Sequence, residues 1–186
     1  MKIIFLDIDG VLNAEEDYYS EDGSYRKGGA YVTTTSGERF RGISQKRVKR
    51  LSEIVSDTGA NIVLCSSWKT LYEAYTAKKD DEHVGRYLSN ALSRKKLRVL
   101  DTTLRFEENA VGYDRGAAIR KWIADWDERN PSDPIEAFAI LDDELFDYQQ
   151  LGLMGHLVKT EYDGYPGGLT DEKAAEAVRI LKGEGK

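Results

Sequence analysis

The sequence predicts an α/β domain built on a doubly wound parallel sheet. Three observations carry this. Five short apolar runs recur along the 186 residues: Lys2 to Leu6, Asn61 to Ser66, Leu97 to Leu100, Ala137 to Leu141 and His156 to Val158. Helical periodicities lie between most of them, and right-handed crossovers between parallel strands place such helices on both faces of the sheet. The first, second and fourth runs are followed at once by small polar or acidic residues, at the strand ends where open parallel sheets bind ligands.

In chain order, Lys2 to Leu6 reads as a strand that ends in "DIDGVL". Residues 13–42 then break the rhythm with Glu-, Tyr- and Gly-rich stretches. The strand-like "AYVTTT" and the turn signals "EDGS" and "TSGE" predict a small β-hairpin flap there. Val48, Leu51 and Val55 mark the first helix, and Asn61 to Ser66 the second strand. Residues 69–96 read as helix, polar turn, helix, leading into the strand at Leu97. Ile119, Trp122, Ile123 and Trp126 fall at i, i+3, i+4 and i+7 and predict the helix before the fourth strand. Ala174, Ala177, Val178 and Leu181 predict a last helix, with Thr170 as N-cap and Asp171 and Glu172 in a first turn that favours acids. The tail "KGEGK" is expected to fray.

Length and composition fit one domain, residues 1–186, with the flap as an insertion. Hydrophobic residues at 40% and charged residues at 32% are those of a globular protein. No apolar run approaches the ~18 residues that cross a bilayer, and the first one meets Asp7 too early for a signal peptide. A cytoplasmic protein with no membrane association is expected. The single cysteine, Cys65, excludes an internal disulfide and reads as a buried strand residue. A net charge of -6 argues against a duplex nucleic-acid binder. Nothing in the sequence marks an obligate protein partner.

Two carboxylates one residue apart, Asp7 and Asp9, have no packing use at the end of a buried strand. With Gly10, Ser66 in "IVLCSSW" and the pair Asp142 and Asp143 in "AILDDE", they set the pattern of the site. The chain here resembles the haloacid dehalogenase (HAD) superfamily of aspartate-nucleophile phosphohydrolases. Its first motif, Asp-x-Asp-Gly-x-Leu or Val, is matched by Asp7-Ile-Asp9-Gly10-Val-Leu12. Its second, a Ser or Thr ending an apolar strand, is matched by Ser66. Its third is a Lys or Arg ahead of the fourth strand, and its fourth is an acidic pair ending that strand. Order and spacing agree over nearly the whole chain. Within the superfamily, "LCSSWK", "VLDTT" and "DRGAAIRKWIADW" followed by "AILDDE" look most like the small phosphatase-like domains found inside multidomain RNA-repair proteins.

The resemblance implies a Rossmann-like HAD fold with a minimal cap and a magnesium-dependent phosphatase that works through an aspartyl-phosphate. Asp7 would be the nucleophile and Asp9 the general acid and base, because covalent attack splits one hard hydrolysis into two easier steps. Gly10 would allow a sharp turn at positive φ. Mg²⁺ would be held by Asp7, the carbonyl of Asp9 and a fourth-motif acid best matched by Asp142, with Asp143 binding directly or through water. Ser66 and Ser67 would bind phosphate at a helix start, although Ser67 also reads as an ordinary cap. Arg115 opposes the dipole of the helix it opens, which points to another use. Arg115 or Lys121 would be the third-motif cation.

Glu144 and Asp147 read as decorating a following helix. His83 and His156 are isolated. Tyr18, Tyr19, Tyr25 and Tyr31 crowd the flap with Arg26 and Lys27, by packing or by stacking on a base. A phosphorylated small molecule, a nucleotide or a nucleic-acid end is the expected partner. The rival readings are a phosphotransferase of the same fold and a non-catalytic phosphate-binding module.

Overall fold

Alternate residues of the first apolar run bury on opposite sides of a sheet: Ile4 and Leu6 join one core cluster, Ile3 and Phe5 the other. The computed structural model describes residues 1–19, 31–34, 37–78, 82–103 and 114–184. Its strands are β1 (Lys2–Leu6), β2 (Tyr31–Thr33), β3 (Arg39–Arg41), β4 (Asn61–Leu64), β5 (Val99–Thr102), β6 (Ala137–Asp142) and β7 (Leu157–Lys159). Its helices are α1 (Gln45–Thr58), α2 (Lys69–Thr76), α3 (Glu82–Ser93), α4 (Arg115–Arg129) and α5 (Asp171–Lys182).

Five strands form a parallel sheet in the order β5-β4-β1-β6-β7, so the strand bearing the two aspartates is central. Val48, Leu51 and Ile54 of α1, Val84 and Leu88 of α3, and Ala177 and Leu181 of α5 cover one face. Ile119 and Trp122 of α4 cover the other, where Trp122 meets Phe5 edge-on at 5.6 Å. This is the doubly wound, Rossmann-like α/β arrangement that the sequence predicts. Strand order reverses between β1 and β6, and ligands of open α/β sheets bind at such a switch point, beyond the carboxyl ends of the strands.

The third predicted strand starts two residues late. Leu97 belongs instead to the end of α3, where its N–H donates to the Leu92 carbonyl and the Lys96 N–H to that of Ser93. That pattern closes a helix around a left-handed residue, here Lys96 at φ 60°, and buries the apolar residue after it. His156 likewise lies in a short 3-10 turn before β7. The Thr170 hydroxyl caps α5 as expected, accepting from the Lys173 N–H at 3.2 Å.

A hairpin lies inside the predicted flap: β2 and β3 pair antiparallel, with Tyr31 opposite Arg41. Phe40 anchors it, its ring 5.1 Å from that of Trp68. Residues 13–19 form a loop with one 3-10 turn. The flap residues Tyr25, Arg26 and Lys27 lie outside the described residues. No helix among the described residues is long and apolar enough to cross a membrane.

Candidate active site

Three strand ends converge at the carboxyl edge. Asp7 follows β1, Ser66 lies just beyond β4, and Asp142 ends β6, with all three buried. Register explains the convergence, since Leu6 pairs with Leu64 on one side and Leu141 on the other. Arg115, the first residue of α4, reaches into this edge from the side. Its Nη1 donates to Asp7 Oδ2 at 2.6 Å and to Asp142 Oδ2 at 2.7 Å. The guanidinium lies 4.1 Å over the Phe146 ring. Lys121, the other candidate cation, is half exposed and pairs with Asp125 one turn along its own helix.

Neither oxygen of Asp7 is idle, because Oδ1 accepts the Ile8 N–H at 2.7 Å. Asp142 accepts from the Glu144 N–H at 2.9 Å and the Tyr148 hydroxyl at 2.7 Å. Asp143 stands beside them, and one carboxylate oxygen from each of Asp7, Asp142 and Asp143 falls within 4.8 Å of the others. Burial, then the neighbouring charges of Asp7 and Asp142, push Asp143 up to about 7. Burial likewise raises Asp142, against the opposing pull of Arg115. Arg115 stays firmly charged, because the nearby carboxylates outweigh its own burial. One guanidinium bonded to two of these three carboxylates leaves excess negative charge on hard oxygen donors, a set that fits a divalent cation such as Mg²⁺.

Asp9 is not one of the three clustered carboxylates. Its Oδ1 accepts from Asn13 Nδ2 at 2.8 Å and its Oδ2 from the Trp68 indole N–H at 2.9 Å. Burial raises its pKa, the two donors lower it, and Asp7 raises it again. Gly10 makes the turn possible at φ 68°, and an added Cβ would stand 2.1 Å from Asp143 Cγ. The Gly10 N–H donates to Asn13 Oδ1 at 3.0 Å, and the Gly10 carbonyl accepts the Thr160 hydroxyl at 2.7 Å.

Ser66 and Ser67 differ. Ser66 is fully buried with its Oγ accepting from the Trp68 N–H at 3.3 Å, whereas Ser67 is exposed. Cys65 is buried with its thiol pushed up by burial, the inert state expected of it. Asp147 does not decorate a following helix, since turns occupy that stretch. It accepts from the Gly116 N–H at 2.6 Å and the Ala117 N–H at 3.0 Å, and so fixes the start of α4 from which Arg115 projects. His83 bonds the Thr33 carbonyl and His156 that of Phe138, both outside the cluster. Asn13, Trp68, Tyr148 and Phe146 are the residues that sequence reasoning missed. Only Asn13, four residues after Asp9 in the same loop, had a local signal.

A central strand ending in Asp-x-Asp-Gly, flanked by strands ending in serine and in paired aspartates, defines a HAD domain, a class whose chemistry at family level is that of a phosphatase-type hydrolase using a divalent metal. The chain belongs to the family described as the HAD domain in Swiss Army Knife RNA repair proteins, whose profile matches residues 3–174. No curated protein and no solved structure matches the chain.

Proposed function

We propose that the chain is a magnesium-dependent phosphatase that hydrolyses a phosphomonoester through an aspartyl-phosphate on Asp7. The supporting observation is the convergence of Asp7, Asp142 and Arg115, with one guanidinium nitrogen bonded to both carboxylates. An oxygen of Asp7 attacks phosphorus while the bond to the leaving oxygen breaks and Asp9 gives that oxygen a proton. Asp9 then takes a proton from the water that attacks the phospho-Asp7, releasing inorganic phosphate and restoring the Asp7 carboxylate. Asn13 and Trp68 hold Asp9 in place for both transfers.

Arg115 stabilises the charge of the phosphoryl group in transit. The Ser66 hydroxyl donates to a phosphate oxygen, and Ser67 adds a donor at the exposed rim. Asp7, Asp142, Asp143 and the carbonyl of Asp9 would hold Mg²⁺. When bound, the ion offsets the repulsion between a dianionic phosphate and the carboxylates. The substrate is a phosphorylated small molecule, a nucleotide or a nucleic-acid end.

Turnover of p-nitrophenyl phosphate with Mg²⁺ and with EDTA tests this reading. We expect activity only with the metal, and a Mg²⁺-induced rise in Tm that Asp142→Asn diminishes. Turnover indifferent to chelation contradicts the metal assignment. No turnover of any phosphomonoester under either condition supports a binding module instead.

A further inference from the structure

The described arginines that are largely buried in this half of the molecule have evident partners, with one exception. Arg47 bonds Glu16, Asp17 and the Gly167 carbonyl. Arg50 bonds Asp171 and the Leu169 carbonyl. Arg115 bonds Asp7 and Asp142. Arg41, on β3, makes no ion pair among the described residues, although its charge acts on the Asp9 carboxylate from a distance, and its Nη1 is buried without an acceptor. A buried charged donor left unsatisfied is costly, so folds that need an arginine only for packing pair it, as Arg47 is paired.

What holds Arg41 is aromatic. Its guanidinium lies 5.1 Å over the ring of Tyr18 and 4.7 Å over that of Tyr162. Contacts to the ring faces fix the group and do not satisfy Nη1, a charged donor that phosphate oxygens suit. The position also fits. Asn13 Nδ2 reaches Asp9 Oδ1 at 2.8 Å and the Arg41 carbonyl at 3.4 Å, which ties this strand to the carboxylate that serves the leaving group. Phe40, next to Arg41, packs on the indole that bonds Asp9. Outward along the hairpin the pattern continues: Tyr31 lies 5.4 Å from Tyr18, and Arg39 stands 4.2 Å over Tyr31. Alternating rings and guanidiniums are suited to bases joined by phosphates.

We propose that Arg41, clamped between Tyr18 and Tyr162, binds a second phosphate on the leaving-group side of the scissile one and so selects substrates that carry it. The shared chemistry is a phosphate linked through a nucleoside to the scissile phosphate, as in a nucleoside bisphosphate or at the phosphorylated end of an oligonucleotide. The proposal rests on the phosphatase reading above.

Three probes test it on the wild-type chain, Arg41→Gln and Arg41→Lys: p-nitrophenyl phosphate, adenosine 3′,5′-bisphosphate, and a short single-stranded oligonucleotide with a terminal phosphate. We expect the wild-type chain to prefer at least one of the latter two. Arg41→Gln should lower the ratio of its kcat/KM to that for p-nitrophenyl phosphate about tenfold or more, mainly through KM, as loss of a charge-assisted bond implies. Arg41→Lys should recover part of the ratio. Whichever probe shows the loss identifies the source of the second phosphate. An unchanged ratio, or a parallel fall for all three probes, overturns the proposal. Calorimetric binding of adenosine 3′,5′-bisphosphate to Asp7→Asn, with and without Arg41→Gln, separates this from the chemistry. The same titration is run with the phosphorylated oligonucleotide; weaker binding of either ligand to the double variant supports the Arg41 site even where no turnover is seen, and equal binding of both overturns it.

Discussion

Gly10→Ala is the substitution for which the structure supplies both a magnitude and a control. Gly10 and Gly59 share the same backbone conformation, φ 68° and 70°, but not the same surroundings. At Gly59, which closes α1, an added Cβ meets nothing within 4 Å, so alanine there costs only the left-handed backbone, about 1–2 kcal/mol. For a domain of this size that lowers Tm by about 2–8 °C. At Gly10 the same Cβ lands 2.1 Å from Asp143 Cγ and 2.5 Å from Asp143 Cβ, so the stem of that side chain must move as well as its tip. Overpacking adds about 1–3 kcal/mol, for a total of about 2–5 kcal/mol. The displaced Asp143 leaves the carboxylate cluster, so Gly10→Ala should lose both turnover and the Mg²⁺-induced rise in Tm, while Gly59→Ala retains both. Thermal melts with and without Mg²⁺, beside phosphatase assays of the two variants, make the comparison. A Gly10→Ala protein that melts with Gly59→Ala and keeps its activity and metal response would refute the reasoning.

Two further predictions concern stability. Arg47→Met strands Glu16 and Asp17, and urea unfolding should show a loss of about 3 kcal/mol, at the low end for a buried pair because both carboxylates keep about a quarter of their exposure. A loss below about 1 kcal/mol would place the charge network at the level of a surface pair. Arg50 holds the Asp171 carboxyl below its usual range, so the stability from this contact is complete above the unfolded carboxylate value and disappears as pH falls through the folded one. Asp171→Asn should therefore lower the denaturation midpoint at neutral pH, and its deficit should shrink in acid; a deficit independent of pH would contradict the pairing.

The parts of the site that follow the strands were legible because chemistry and position coincide there. Asp7, Asp9, Ser66, Asp142 and Asp143 sit where apolar runs end, and sheet register alone brings those ends together. Arg115 was legible as a cation at the wrong end of a helix dipole. The groups that hold these residues were not. Trp68 reaches Asp9 across 59 positions and Arg41 meets Tyr162 across the fold, with no periodicity to signal either contact. The third strand was placed early because Leu97 is as apolar as a strand residue but caps a helix, and the left-handed residue before it is lysine rather than glycine. Asp147 followed an acidic pair and read as part of a helix, whereas its carboxylate serves the amides of a helix elsewhere in the chain.

The central claim assigns different steps to two carboxylates one residue apart, and Asp9→Asn separates them. An activated aryl phosphate leaves without a proton, so in this variant phosphorylation should proceed while hydrolysis of the intermediate slows. Rapid mixing of Asp9→Asn and Mg²⁺ with p-nitrophenyl phosphate should release a burst of nitrophenol approaching one equivalent, and mass analysis of the quenched protein should find one phosphoryl group on Asp7. A phosphoryl group on Asp9 or any other residue, or normal steady turnover by Asp7→Asn, would contradict the account.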